Sequence, residues 1–186
     1  MVIWLRRNRK LLWLWLAQQL VFVWTLNAVW LNWGPGHPAV PIIVIAWTFT
    51  LAPGLSVPAI RLLPPRWFQV PGGERMLHQR LGVGIFERVL KRTGYKRRNI
   101  DPLGGGPITS ARLSFRALAA RAGGGAHAVC FTIHVLLALA ALLAGRPWGA
   151  FWILLPGVIV HLYPALLQRS IMLRLQPLLD SRPRAA

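Results

Sequence analysis

Residues 11–60 contain no Asp, Glu, Lys or Arg, and neither do residues 122–145 or 147–168. A soluble domain interrupts its apolar runs with charged surface positions every few residues, so stretches this long belong in lipid. The rest of the chain is the opposite. There are 22 Lys and Arg against 4 Asp and Glu, a formal charge of +18, in a chain that is 55% hydrophobic. Charge of that size suggests a nucleic-acid binder. A soluble binder does not combine it with a mean hydropathy of +0.47 and ten tryptophans, and no DNA- or RNA-reading motif accompanies it. No nucleic-acid partner is expected. The first apolar run is too long and too Trp-rich for a cleaved leader and lacks a clear small-residue cleavage site. The lone Cys130 cannot form an intrachain disulfide. These features predict an all-α integral membrane protein forming a single membrane domain over 1–186.

Four spans are predicted. Residues 11–33 give about 34 Å of helix, enough for a hydrocarbon layer of about 30 Å. The uncharged turn Gly34-Pro35-Gly36-His37-Pro38 leads into a second span at 39–62, with a break expected near Pro53-Gly54. The third and fourth spans are placed at 125–143 and 148–167, joined so tightly that they must be antiparallel. Gln18, Gln19, Asn27 and Asn32 are read as hydrogen-bonding between helices. Residues 63–124 form a basic section punctuated by Pro71-Gly72-Gly73 and by Pro102 to Pro107. Between those clusters Leu77, Leu81, Ile85 and Val89 recur every four residues, widened by Phe86 and Leu90. This is the pattern of an amphipathic helix lying on a membrane. Residues 108–121 are read as a second short helix.

All but one of the basic residues, Arg146, fall in 1–10, 61–121 and 169–184. Four spans put those three flanks on one side, and the positive-inside rule makes that side the cytoplasm. The reading is a multi-pass protein of the bacterial inner membrane with both termini cytoplasmic, its charge also drawing anionic membrane lipids.

Ionisable residues near the spans are the candidates for chemistry. His127, Cys130 and His134 share one helix face through their spacing of three and four. His and Cys can ligate zinc or copper, but one helix supplies too few ligands and no carboxylate is near, so no metal is expected. His127 lies in the first turn of its span, at a depth that suits a general base. His161 lies in the last third of span four and faces the same side. Glu74 and His78 are four apart, a spacing at which a carboxylate can orient an imidazole. With four acidic residues in the chain, Glu74 also stands out by scarcity, ahead of Glu87, Asp101 and Asp180. His127, His161, His78 and Glu74 are expected to converge at one membrane depth.

Two stretches resemble a known family. Arg66-Trp67-Phe68, then Glu74-Arg75, then Arg80-Leu81-Gly82-Val83-Gly84-Ile85-Phe86 is similar to an Arg-Trp/Tyr-Phe element, a Glu and "R-L-G-V-x-x-F-K". His161-Leu162-Tyr163-Pro164 through Gln168-Arg169 to Arg174-Leu175 is similar to "N-x-Y-P-x-x-x-Q-R-Y-N-R-x-R-L". Both patterns are those of the glycosyl-4,4'-diaponeurosporenoate acyltransferases, membrane enzymes of carotenoid biosynthesis. The resemblance covers most of 60–175 and the four-span layout. It implies transfer of a fatty acyl group to a sugar hydroxyl of a glycosylated carotenoid or similar glycolipid, without a cofactor. The family's third-span pattern is similar to "T-R-x-A-E-x-x-H". This chain keeps Arg121 and His127 but has Gly124 at the place of the glutamate, and His161 stands where the family has Asn.

Acyl transfer needs a base for the hydroxyl and cationic or hydrogen-bonding groups near the developing oxyanion. His127 is assigned as the base, with Glu74, His78 or His161 supporting it. Arg121, Gln168, Arg169 and Arg174 are the substrate-binding residues, Arg suiting an anionic donor or oxyanion through its charged fork. The partners implied are a lipid-like acceptor, an acyl donor (acyl-CoA or an acyl lipid) and enzymes of the same pathway. The alternative is a non-catalytic protein whose basic section binds anionic lipid or a partner enzyme. A transporter would need polar residues along a path through the whole membrane, whereas here they gather at one side.

Overall fold

The computed structural model describes residues 9–93 and 109–181. Arg6, Arg7, Asp101, the Pro102 to Pro107 cluster, Arg182 and Arg184 lie outside the described residues. The described chain is all α: α1 (Arg9–Trp33), α2 (Ala39–Leu55), α3 (Pro58–Leu62), α4 (Glu74–Arg80), α5 (Val83–Arg92), α6 (Ser110–Leu143), α7 (Pro147–Gly157) and α8 (Tyr163–Asp180). A 3-10 turn, Pro65–Phe68, precedes α4, and a π-helical turn, Val158–Leu162, joins α7 to α8. Three helical runs are long and apolar enough to cross a membrane: Lys10–Trp33, Ser110–Leu143 and Pro147–Asp180. The protein is a multi-pass membrane protein.

Helix α6 differs from expectation. The expectation is a short helix over 108–121 and a separate span from 125. The structure runs one helix of 34 residues through both, and through the glycines at 123–125. Each interior glycine costs about 1 kcal/mol of helix propensity relative to Ala, and close helix packing offsets it. A Cβ on Gly124 would lie 3.2 Å from the Gln168 Cβ. Small residues here let α6 and α8 approach backbone to backbone, the usual basis of helix association in lipid.

At 34 residues each, α6 and the run from Pro147 to Asp180 are about 51 Å long, well beyond a hydrocarbon layer of about 30 Å. The N-terminal turns of α6 meet α8 at one end of the molecule. There Leu113, Ala117 and Ala120 pack on Leu167, Ile171, Met172 and Leu175, with Val70 and Val83 from the intervening segment. Bulky aliphatics dominate this layer because water drives their burial. In the opposite half Ala138, Ala141 and Ala150 sit with Leu26, Val29, Val40, Val44 and Ile153. Gly149 lies against Pro35, so the two short turns 34–38 and 144–146 meet at that end.

The amphipathic segment is also divided. Gly82 takes φ +69°, a left-handed backbone that other residues rarely adopt, and turns the chain between α4 and α5. Leu77, Leu81, Ile85 and Val89 remain exposed, while Phe86 and Leu90 pack against the core. Tyr163 anchors the segment, its hydroxyl donating to the Leu81 carbonyl at 3.0 Å and its ring 5.2 Å from Phe86. In α1, Gln18, Asn27 and Asn32 are exposed rather than between helices, and Asn32 bonds its own helix at Ala28. Gln19 is buried, with neither side-chain polar atom hydrogen-bonded.

Candidate functional site

The polar residues of the membrane layer form a string. The ring of His127 on α6 meets that of His161 at 3.1 Å, Nδ1 to Nδ1. His161 Nε2 lies 2.9 Å from the Thr48 hydroxyl on α2, and that hydroxyl lies 3.1 Å from His134 Nε2. His134 Nδ1 ends the string on the Ile153 carbonyl at 2.7 Å. His134, His161 and Thr48 are fully buried and His127 is half-buried. Cys130, one turn from His127 and also buried, points its thiol at the Thr48 carbonyl, 3.5 Å away. Among the described residues no group of three or more His, Cys, Asp or Glu is arranged to hold a metal ion.

The string fixes its own protons. A carbonyl only accepts, so His134 Nδ1 carries hydrogen and, in an uncharged ring, its Nε2 accepts. The single hydroxyl hydrogen of Thr48 goes either to that nitrogen at 3.1 Å or to the Val44 carbonyl at 2.8 Å. The Thr48 oxygen must then accept from His161 Nε2–H, which leaves His161 Nδ1 bare to accept from His127 Nδ1–H. For neutral rings both placements of the Thr48 hydrogen give this same pattern at His161 and His127. It leaves an unprotonated lone pair on His127 Nε2, which has no protein hydrogen bond among the described residues.

Local structure explains how His161 reaches this position. Pro156 and Pro164 remove two helical donors on either side of it. The intervening turn widens, with Tyr163 N–H donating to the Val158 carbonyl five residues back. Such π turns recur at functional sites because they re-aim one side chain without ending the helix. Gly157 makes room for the string: a Cβ there would fall 2.6 Å from the His134 ring.

Glu74 is not part of this string. Its carboxylate takes Arg169 in a fork, with Nε at 3.0 Å and Nη2 at 2.5 Å. Arg169 Nη1 donates to the Trp67 carbonyl, and the guanidinium sits over the Trp67 ring, 4.6 Å from its centroid. His78 is 3.7 Å from Glu74, beyond hydrogen-bond range, and both its ring nitrogens are buried without a hydrogen bond. Burial pulls the His78 imidazole below its ordinary pKa; Glu74 opposes that shift and Arg169 adds to it. The expected convergence of four residues is therefore two clusters: His127 with His161, and Glu74 with Arg169 and His78. Both lie along the α6–α8 seam, His161 and Arg169 being eight residues, about 12 Å of helix, apart.

Between them Arg121, Gly124 and Gln168 line a narrow cleft walled by Trp67, Phe68 and Arg169. Gln168 packs where Gly124 has no side chain. Arg174 stands apart, bound to Glu87 at 3.1 Å, while Lys91 holds the same carboxylate at 2.8 Å. Thr48 and the Ile153 carbonyl went unnoticed in the sequence. The one available signal for Thr48 was a hydroxyl amid an apolar run, and such residues commonly bond their own helix, as Thr48 also does at Val44. The chain matches no protein family, no curated protein and no solved structure.

Proposed function

We propose that the protein is a membrane acyltransferase that moves a fatty acyl group onto a sugar hydroxyl of a glycosylated carotenoid or similar glycolipid. The observation that carries the reading is the buried string from Ile153 to His127, because with neutral rings and Thr48 accepting from His161 it leaves a bare imidazole nitrogen at its half-buried end. Polar groups in lipid are costly and are rarely kept without a task. The string extends seven residues along α6, about 10 Å, and ends on a carbonyl. That suits a local proton acceptor better than a path across the membrane. The motif resemblance around residues 66–86 and 161–175 supports the same reaction.

In this reading Ala39 to Leu62 is a fourth, kinked span, the basic end faces the cytoplasm of a bacterial cell, and the exposed stripe of α4 and α5 rests on the inner leaflet. His127 Nε2 takes the sugar hydroxyl proton as the oxygen attacks the acyl carbonyl. A new ester C–O bond forms, the bond from carbonyl carbon to donor breaks, and His127 returns its proton to the leaving thiolate or alkoxide. The Nδ1–H bond to His161 holds the ring through both transfers. Arg121 and Gln168 meet the donor or the oxyanion. Arg169 is a positioning residue, its fork spent on Glu74 and on the wall at Trp67.

The test is expression in bacterial membranes supplied with glycosylated apocarotenoid, mixed glycolipids and isotope-labelled acyl donors. Lipid mass spectrometry is expected to find a labelled ester that His127→Ala removes. No labelled ester with any acceptor overturns the reading.

A further inference from the structure

A second cavity, of about 580 Å³, lies outside the α6–α8 seam, between α4, the start of α5 and the C-terminal half of α8. Three arginines line it, Arg75, Arg88 and Arg174, with Arg88 Nε also donating to the Gly84 carbonyl at 3.4 Å. Among the described residues the only carboxylate on its wall, Glu87, is already held by Lys91 and Arg174. Arg75 carries no ion pair among the described residues, and both Arg75 and Arg88 are exposed. Val83 and Gly84, in the first turn of α5, a helix of 10 residues, also line the cavity. There the positive end of the helix dipole favours an anion. His78 also lines the cavity, is 5% exposed, and has both ring nitrogens without a hydrogen bond. A buried imidazole left in that state is a polar group awaiting a partner. Ser170 adds a hydroxyl on the facing wall.

We propose that this cavity binds a phosphate-bearing group. Its volume is within the range of small-molecule sites. Arginine forks match phosphate oxygens in pairs. Its place beside the exposed apolar stripe of α4 and α5 admits a phosphate from two sources, a lipid headgroup at the bilayer surface or a soluble phosphate compound. Binding here does not depend on acyl transfer.

The test uses the full chain in detergent and in nanodiscs, with calorimetry as the readout. The probes are inorganic pyrophosphate in solution and short-chain phosphatidic acid in a zwitterionic lipid. At least one is expected to bind, weakening with salt. Binding of pyrophosphate assigns a soluble phosphate compound, and binding of phosphatidic acid alone assigns a lipid headgroup. The double variant Arg75→Gln/Arg88→Gln is expected to weaken binding about tenfold or more with an unchanged melting temperature. Arg80→Gln/Arg92→Gln, equally basic but outside the cavity, is expected to change it less than about twofold. Failure of both probes to bind, or equal losses in the two double variants, overturns the proposal.

Discussion

Arg169 and Glu74 make the strongest single contact of the basic end, and their chemistry shows why neither is easily replaced. A planar fork takes both carboxylate oxygens while its third edge meets Trp67. Arg169→Lys keeps the charge but loses the fork and the stacking. Because the side chains are 13% and 21% exposed, Arg169→Met should cost about 2–5 kcal/mol through the carboxylate left behind. Thermal unfolding in detergent checks this, and the double variant Glu74→Gln/Arg169→Met should recover part of the loss. Equal stability of Arg169→Met and the wild type contradicts the assignment. The protonation pattern is testable at the same scale. Nitrogen NMR of histidine-labelled protein should find His127 and His134 protonated on Nδ1 and His161 on Nε2. His127 protonated on Nε2 instead would remove its bare nitrogen and with it the basis for its role.

At the scale of elements, the contact between α6 and the run through α7 sets how the string assembles. Gly157 faces the His134 ring with no room for a methyl group, so Gly157→Ala must displace the ring or separate the helices. Overpacking of this kind costs about 1–3 kcal/mol, and the variant should unfold at lower temperature and transfer acyl groups more slowly. Much of this level was hidden in the sequence. His127 and His161 could be found by depth and spacing, but their pairing depends on where two helices cross, which spacing does not specify. Glu74 seemed the natural partner of a nearby histidine because it is four residues from His78. Arg169, 95 residues away, takes it instead. Three consecutive glycines normally end a helix, yet in α6 they are the surface on which other helices rest. The lipid-bound character of the runs was legible from the start, because a helix uncharged over that length has no face to offer water.

For the whole molecule, charge sets both orientation and acid sensitivity. Single cysteines at Arg92 and Arg146, both exposed, report the two ends, since the native Cys130 is buried. An impermeant maleimide on intact cells should label Arg146→Cys and reach Arg92→Cys only after permeabilisation; the reverse contradicts the orientation. Burial pushes the Glu87 carboxyl up, but Lys91 and Arg174 outweigh it and hold it below its ordinary value. The unfolded chain therefore takes up that proton first, and the stability from Glu87 is lost as pH falls through its folded pKa. His78 acts in the same direction. Unfolded, it protonates near pH 6.5 while the buried ring resists, so stability also falls as pH drops below about 6.5. The melting temperature in detergent should decline from about pH 7.5 to about pH 4. A flat profile counts against the Glu87 ion pairs and the burial of His78.

The proposed chemistry rests on a string of hydrogen bonds that aims one imidazole at a hydroxyl. Thr48 touches no substrate in this scheme, yet it is the joint between His161 and His134. The most direct measurement compares the rate of ester formation in wild-type protein, Thr48→Val, Thr48→Ser and His127→Ala, with labelled donor and glycolipid acceptor in the same membranes. The predicted result is no detectable ester for His127→Ala, a rate reduced about tenfold or more for Thr48→Val, and near-normal transfer for Thr48→Ser. Equal ester formation in all four proteins would contradict it.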